Sequence, residues 1–566
     1  MSRSFARIVL TVTTAFLAVF LLWPVLQILK GGFVNADGRL TFAYLGELLR
    51  NPLYLGGLKN SLFLAIATTA LALLIAVPLA VVADRYRYPG KNLLASLVLV
   101  PMVLPPFVGA IGIKQIFGQY GALNALLVAT GVRPAGWTFD WFAGNQFWGI
   151  VIVEAFGLYP IIYLNAVASL ANVDPAMEEA AASLGCTGLR RFWRITVPLI
   201  KPGLFAGSTI VFIWTFTELG VPLIFDYSRV MSVQIFAGLK DIGDNPFPYA
   251  LVFIMLATSG LLYVLGRGLF GRSDPAMAAR STSAGGPRAL PPLRAWACTA
   301  FFAGMTFIAI LPHLGVVLVA FAEHWHGTVL PGSLTLGNFR LALGHDLTVP
   351  AIANSLKYSS LSAAIDLVLG TAIAYVIVRT RVAGRGMLDF LTMLPLAVPG
   401  LVLAFGYLAM SQDGRLFSWL NPIENPAPLL VIAYAVRRLP YVVRSAAAGF
   451  QQTSETLEEA ALNLGCPPLK AAIRITIPLI MANLLAGGLL AFAFAMLEVS
   501  DSLVLAQKLA YYPITKAIYE LFQLLGDGRF LACALGAWAM VFLGLVIAAV
   551  SVLLGRKLGA LFRAAG

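Results

Sequence analysis

The chain has 566 residues, of which 59% are hydrophobic and 11% are charged, and its mean hydropathy is +0.85. Soluble proteins carry about a quarter charged residues, so a water-soluble fold is excluded and a membrane protein is predicted. The net charge of +13 does not indicate a nucleic-acid partner, because basic residues of membrane proteins collect in cytoplasmic loops.

Hydrophobic runs of about 20 residues, each long enough to cross a bilayer, predict an all-α polytopic membrane protein with about twelve transmembrane helices. The first run, near residues 8–29, has no small-residue cleavage site and is interpreted as a retained helix rather than a signal peptide. In chain order, the further predicted spans lie near residues 58–83, 92–118, 147–171, 199–224, 248–270, 295–321, 353–378, 386–411, 427–450, 477–506 and 530–555.

A polar segment divides these spans into two sets. Residues 271–294 are rich in Ser, Gly, Pro and Arg, which is typical of a linker outside the membrane. We therefore expect a first domain at 1–270 and a second at 295–566. The excess of Lys and Arg in alternate loops predicts that both termini and the linker are cytoplasmic.

The two halves are duplicates. Asn60-Ser61-Leu62 recurs as Asn354-Ser355-Leu356, displaced by 294 residues. Later in each half, Pro160 recurs as Pro440, displaced by 280 residues. Because each half contains an even number of predicted spans, the repeats enter the membrane in the same direction and are parallel.

The strongest repeat lies in a predicted cytoplasmic loop. Residues 178–198 read EEAAASLGCTGLRRFWRITVP, and residues 458–478 read EEAALNLGCPPLKAAIRITIP. Each copy is expected to form a short helix, capped at its start by Asp174 or Ser454 and ended by a left-handed Gly185 or Gly465. The spacing also predicts that two apolar triplets each share one helix face, namely Met177, Ala181 and Leu184, and Leu457, Ala461 and Leu464.

The two copies resemble the EAA loop of permease subunits of binding-protein-dependent ABC importers. That pattern is Glu-Ala-Ala, three residues, Gly, nine residues and Ile-x-Leu-Pro, and this chain departs from it only at Val197 and Ile477, which replace Leu. The resemblance covers essentially the whole chain, as two fused six-helix permease domains. It is similar to the fused permeases for ferric iron, thiamine and phosphonate.

Residues 174–198 and 454–478 are the first and second EAA loops. The resemblance implies that Glu178 to Gly185 and Glu458 to Gly465, within these loops, form coupling helices that dock on a cytoplasmic ATPase homodimer. It also implies a periplasmic substrate-binding protein and a location in the bacterial inner membrane. The residues assigned to ATPase coupling are Glu178, Glu179, Ala180, Ala181 and Gly185, and Glu458, Glu459, Ala460, Ala461 and Gly465. The alternative is that the loops are amphipathic connectors resting on the membrane surface.

The chain itself is not expected to be an enzyme. A P-loop requires Gly-x4-Gly-Lys-Ser/Thr, so that backbone amides cradle phosphate and the hydroxyl holds magnesium. Gly90-Lys91 is the chain's single Gly-Lys pair, and it is followed by Asn92 without the required upstream glycine. ATP hydrolysis is therefore assigned to partner subunits.

Charged residues within spans are candidates for the substrate pathway, because they are costly in lipid. The candidates are Glu218, Glu498, Asp501, Arg437 and Arg438. Carboxylates suit a hard cation such as ferric iron, whereas arginines suit an anion. The alternative is that they form structural ion pairs or hydrogen bonds. No cofactor or metal site is predicted, since His324-x-His326 has no accompanying ligand cluster and the four cysteines are scattered.

The sequence therefore predicts an importer permease that moves a small solute into the cytoplasm by alternating access. Ferric iron is the first choice of cargo, by resemblance. Phosphonate, thiamine, polyamine and sugar phosphate remain open as cargo, and an ion-coupled secondary transporter or a channel remains open as another class.

Overall fold

The computed structural model describes residues 3–35, 37–102, 105–242, 245–270 and 288–564. The helices of the first half are α1 (Arg3–Leu17), α2 (Trp23–Phe33), α3 (Ala43–Arg50), α4 (Pro52–Arg85), α5 (Lys91–Leu97), α6 (Pro106–Phe117), α7 (Ala122–Ala129), α8 (Gln146–Leu170), α9 (Pro175–Ser183), α10 (Gly188–Arg191), α11 (Val197–Phe216), α12 (Gly220–Ile224), α13 (Met231–Ala237) and α14 (Phe247–Phe270).

The helices of the second half are α15 (Pro292–Phe321), α16 (Gly337–Gly344), α17 (Thr348–Arg379), α18 (Arg385–Met393), α19 (Gly400–Met410), α20 (Ala427–Gln452), α21 (Thr456–Asn463), α22 (Pro468–Ala471), α23 (Ile477–Leu479), α24 (Met481–Met496), α25 (Ser500–Leu505), α26 (Ile514–Gln523) and α27 (Gly528–Ala564). Segments of π-helix lie at Ala18–Leu22, Phe192–Thr196 and Ala472–Thr476.

Extended structure is minimal within the described ranges. Strand β1 (Tyr86–Arg87) pairs in parallel with β2 (Arg288–Ala289), so that Tyr86 lies opposite Arg288. The predicted linker at 271–294 falls largely on residues 271–287, which lie outside the described residues.

The predicted all-α polytopic fold is confirmed. Among the described residues, seven helices are long and apolar enough to cross a membrane, and three bent helix pairs raise the number to ten at most. About twelve spans are expected from the sequence, and this criterion counts seven to ten of them within the described ranges. The predicted span at 427–450 forms α20, which carries three arginines. The span at 248–270 forms α14, a helix of 24 residues.

Proline breaks one of these spans sharply. The segments Arg385–Leu396 and Gly400–Met410 form a pair bent by 101° around Pro399. The proline restricts the preceding residue and cannot donate a helical hydrogen bond, so the first helix ends before it and the second begins after it. The helix is therefore completely broken at this point.

The described chain forms two compact units. Unit 1 contains Met1–Arg50, Ile235–Leu256 and Phe339–Gly566, and unit 2 contains Asn51–Gln234 and Ala257–Asn338. Helices α4, α8 and α11 pack together in unit 2, and their repeats α17, α20 and α24 pack together in unit 1. The units do not coincide with the two halves of the sequence.

The compact units differ from the sequence halves because the first helix of each half packs on the core of the other half. In unit 2, α15 packs on α6, where a Cβ atom at Gly112 would overlap the backbone of Pro312. In unit 1, α2 packs on α19, where a Cβ atom at Gly406 would lie 2.7 Å from Cβ of Pro24. Gly112 and Gly406 are repeat-equivalent, so the same close helix contact is made in both units.

Candidate functional site: two EAA loops and buried charges

The first EAA loop is held in unit 2 by a glutamate, an arginine and a threonine. Asp174 caps α9 by accepting a hydrogen bond from the Ala176 amide at 2.9 Å, as predicted. One turn later, Glu178 pairs with Arg85 from the end of α4 and accepts a 2.7 Å hydrogen bond from the Thr196 hydroxyl. Arg85 also donates to Thr196 at 2.9 Å. These contacts tie the short helix to a long membrane helix and to the start of α11.

The second EAA loop uses the same glutamate with different partners. In unit 1, Glu458 is buried, and it accepts hydrogen bonds from the Tyr375 hydroxyl at 2.7 Å and the Thr476 hydroxyl at 3.3 Å. Arg379, the repeat equivalent of Arg85, instead pairs with Glu455 at 2.9 Å. Both loops are therefore attached to the end of a long helix. In the second half, however, the arginine pairs with Glu455 rather than with Glu458.

The start of α21 also differs slightly from that of α9. Ser454 accepts a hydrogen bond from the Thr456 amide at 3.3 Å, the repeat equivalent of the contact that Asp174 makes. Helix α21 begins one residue later in its repeat than α9, with Glu455 at the capping position. The prediction of Ser454 as the capping residue is therefore wrong by one position, although its hydroxyl still contacts the start of the helix.

Glycine ends both α9 and α21 in the left-handed conformation, as predicted. The φ angles are +79° at Gly185 and +81° at Gly465. After each glycine, a cysteine amide donates back into the helix, Cys186 to Ala181 at 2.9 Å and Cys466 to Ala461 at 3.0 Å. This pattern closes the exposed carbonyl groups of the last helical turn.

Equivalent positions of the two EAA loops are exposed. Glu179 and Ala180 are exposed, and so are their equivalents Glu459 and Ala460. The leucine before each terminal glycine protrudes most, with Leu184 88% exposed and Leu464 89% exposed. Isolated apolar side chains at such exposure are suited to a pocket on another protein.

The predicted grouping of Met177, Ala181 and Leu184 on one face is wrong. Ala181 is buried, whereas Leu184 is almost fully exposed. The helix ends at Ser183, and Leu184 has non-helical angles of φ −85° and ψ +12°, so helical spacing no longer fixes its direction. Leu464 leaves α21 in the same way, since Asn463 is the last helical residue.

Sequence reasoning missed the threonines that hold the two glutamates. Thr196 and Thr476 occupy the Ile-Thr-x-Pro end of the repeated motif, and both are buried. Their recurrence at one position, 18 residues after Glu178 and Glu458, was the available signal. A hydroxyl beside a buried carboxylate satisfies an acceptor that burial would otherwise leave unpaired.

A buried ion network connects the pathway candidates of the second half, within unit 1. Arg437 lies 2.6 Å from Glu498 and 3.2 Å from Asp501, and Arg438 pairs with the second oxygen of Glu498. Arg438 also donates to the Phe494 carbonyl at 3.1 Å and lies over its ring. These side chains occupy α20 and the α24–α25 junction, and each charge is at least partly offset by a neighbour.

The corresponding region of unit 2 contains no arginine from α8, because Gly157 and Leu158 stand at the repeat positions of Arg437 and Arg438. Glu218 instead accepts a 2.9 Å hydrogen bond from the Gly220 amide. Glu154, at the repeat position of Tyr434, is buried and interacts electrostatically with Glu218. The two halves therefore place different charge balances at equivalent positions.

Within the described residues, no group of three or more His, Cys, Asp or Glu side chains could hold a metal ion. His324 and His326 are exposed, and the His326 ring lies 4.4 Å from that of Tyr120.

Comparison with known proteins identifies the family. The model of the binding-protein-dependent transport system inner membrane component matches residues 76–279 and 366–560, which together exceed half of the chain. The chain belongs to this family. Its two matched regions are two copies of one permease domain, so the fused importer permease expected from the EAA loops is confirmed. This permease is a multi-pass inner-membrane protein, and permeases of the family work with ATPase and substrate-binding partners.

Several relatives match over most of their length. The ferric transport system permease protein FbpB of Actinobacillus pleuropneumoniae is 27% identical over 511 residues, covering 85% of this chain and 69% of the relative. A putative ferric transport system permease of Haemophilus influenzae is 26% identical over 498 residues, covering 85% and 75%. A probable molybdenum ABC transporter permease of Haloferax volcanii is 30% identical over 253 residues, covering 43% and 89%. The comparisons do not favour an ion-coupled transporter or a channel.

Proposed function

We propose that the two EAA loops each dock one subunit of a cytoplasmic ATPase homodimer. The observation that carries this proposal is the repeated geometry, in which a short helix with an exposed Glu-Ala pair ends in a protruding leucine and a left-handed glycine. One permease chain supplies both loops, so one chain engages one ATPase pair. The first glutamate of each loop faces inward as an anchor, and the second, Glu179 or Glu459, faces the partner.

Replacement of the protruding leucines tests this proposal. Leu184→Ser and Leu464→Ser remove apolar surface that is already exposed, so the permease remains folded. We expect the double variant to lose co-purification with its ATPase, and each single variant to weaken it. Leu525→Ser is the matched control, because Leu525 is 99% exposed and lies in neither EAA loop. Undiminished co-purification of the double variant would contradict docking at these loops.

The cargo proposed for this permease is ferric iron. The support is that two relatives, each matching 85% of this chain, are named for ferric transport. Uptake of radioactive ferric iron into vesicles containing the permease, its ATPase and its cognate binding protein tests the proposal. Phosphonate, thiamine, polyamine, sugar phosphate and molybdate serve as competing solutes. ATP-dependent uptake of one of them, with none of ferric iron, would replace the assignment.

Energy is proposed to come entirely from the partner, with the chain itself lacking ATPase activity. The family consists of transport subunits, and the chain has no P-loop sequence. Solute then passes by alternating access as the docked ATPase subunits close and separate. ATP hydrolysis by the purified permease alone would contradict this division of labour.

Both termini are proposed to be cytoplasmic. Protease protection of tags at each end tests this location.

The pathway is proposed to pass the partly buried Glu218 and the buried Glu498 and Asp501. Arg437 and Arg438 balance the negative charge in the second half. Ionisable side chains in membrane-spanning regions are costly, so their retention points to a role in transport. The competing role is structural pairing, which the Arg437–Glu498 contact of 2.6 Å also fits. Glu218→Gln separates the two roles, because an amide oxygen can still accept the Gly220 hydrogen bond while the charge is lost.

A further inference from the structure

An apolar groove lies beside the second EAA loop, within unit 1. Its volume is about 440 Å³, within the range of about 300 to 1,000 Å³ that small-molecule pockets occupy. Helices α17, α20 and α24 and the segment between Leu469 and Ile477 form its walls. Its lining is almost entirely hydrophobic and includes Leu367, Phe450, Ile473 and Leu485.

The groove extends into the membrane-spanning part of the unit. Leu367 lies twelve residues before the end of α17 at Arg379, which is about 18 Å along the helix at 1.5 Å per residue. Ile473 and Leu485, at the other wall, are 53% and 43% exposed. An apolar opening of this length along a membrane helix suits the acyl chain of a lipid.

Basic side chains flank one end of the groove. Lys470 and Arg474 are exposed and directly follow Leu469 and Ile473, which line it. Leu469 and Ile473 are four residues apart and share one helix face. Lys470 and Arg474 share the adjacent face of the same turns. The inner leaflet carries anionic lipids, and each Lys or Arg near its surface adds attraction for their headgroups.

We propose that this groove binds an acyl chain of an anionic phospholipid of the inner leaflet, with the headgroup phosphate held by Lys470 and Arg474. Tyr375 and Thr476 belong to the groove wall and are the two side chains that hold Glu458. The bound lipid thus packs directly on the anchor of the second EAA loop. The proposal does not depend on the identity of the cargo.

The first half provides the matched comparison. It keeps the basic pair, as Arg190 and Arg194, but has Phe192 where the groove has Ala472. A phenylalanine side chain at position 472 projects into volume that the alanine leaves open, because Ala472 lines the groove. Ala472→Phe therefore blocks the acyl chain using the residue of the other repeat, whereas Lys470→Gln with Arg474→Gln removes the headgroup contacts alone.

The experiment uses the full-length permease in nanodiscs that contain a photoactivatable phosphatidylglycerol, followed by peptide mapping of the labelled sites. We expect labelling of the groove segments of α17 and α24. It should fall roughly thirtyfold in Lys470→Gln/Arg474→Gln, since each basic residue contributes about 1 kcal/mol of attraction and about 1.4 kcal/mol corresponds to a tenfold change. It should fall similarly in Ala472→Phe and remain unchanged in Arg190→Gln/Arg194→Gln.

Several results would overturn the proposal. They are labelling that survives both groove variants, equal labelling by a photoactivatable phosphatidylcholine, or an equal loss in the first-half control. The last result would show a general attraction of the basic surface for lipid rather than a site. Lys470 and Arg474 are exposed, so their double variant decides the question even if Ala472→Phe fails to fold.

Discussion

Gly465 offers a precise perturbation of the second EAA loop. Its φ of +81° is a conformation that L-residues with a Cβ atom rarely adopt, yet no atom lies within 4 Å of the position that a Cβ would take. A substitution there carries backbone strain without a steric clash. Gly465→Val imposes this strain, whereas Gly465→Asn largely avoids it because asparagine tolerates the left-handed region.

The strain can be estimated. A left-handed residue with a Cβ atom costs about 1–2 kcal/mol, and valine is among the least tolerant because it is β-branched. Since about 1.4 kcal/mol corresponds to a tenfold change in an equilibrium constant, the native helix end becomes about 5- to 30-fold less favoured. Helix α21 has only eight residues, so a loss of this size displaces Leu464 and weakens docking.

The assay is ATP-driven solute uptake in proteoliposomes, measured together with ATP hydrolysis. We expect Gly465→Val to lower solute moved per ATP and Gly465→Asn to remain close to the original permease. Gly414→Val is the control, because Gly414 has φ +76° and an equally open Cβ position but lies outside both EAA loops. Equal uptake by the valine and asparagine variants would refute the reasoning, as would an equal defect in Gly414→Val.

Four further predictions follow from individual contacts. Glu458→Ala should lower the free energy of unfolding by about 1–3 kcal/mol, because it leaves the Tyr375 hydroxyl without its acceptor. Glu459→Ala, at an exposed position, should change it by less than about 0.5 kcal/mol, and thermal unfolding compares the two variants. Arg438→Leu should cost about 1.5–3 kcal/mol, because Glu498 loses one of its two arginine partners and keeps Arg437, and an unchanged melting temperature would contradict that account. Gly112→Val should destabilise the α6–α15 contact, since its Cβ overlaps the Pro312 backbone, whereas Gly304→Val, in open space on α15, should not; chemical denaturation measures the difference. Glu218→Gln should reduce uptake without lowering ATPase binding, and normal uptake would assign Glu218 a structural role.

The local features of the EAA loops were predictable from sequence because they depend on neighbouring residues. The Asp174 cap and the left-handed Gly185 and Gly465 follow from residue type and position, and the structure confirms each. The direction of Leu184 was not predictable from helical periodicity, because the helix ends one residue earlier. The spacing of i, i+4 and i+7 holds only while the backbone remains helical.

Long-range contacts were the part that sequence could not supply. The repeat indicated that Gly112 and Gly406 share a role, but not that each faces the first helix of the opposite half. The sequence identified Arg437 and Arg438 as charges within a predicted span. It could not show that both pair with Glu498, which lies about 60 residues further along the chain. Local hydropathy also did not show where a span bends or breaks, such as the 101° bend between Arg385–Leu396 and Gly400–Met410.

The central claim is that both EAA loops bind the ATPase, and the chain's own cysteines test it most directly. Cys186 and Cys466 follow the terminal glycines, and both are free and partly exposed. Cys298, in α15, is also free and partly exposed and lies outside the loops. With saturating cognate ATPase, we predict that maleimide labelling of Cys186 and Cys466 slows together while that of Cys298 is unchanged. Labelling of both loop cysteines at the same rate with and without bound ATPase would contradict the claim.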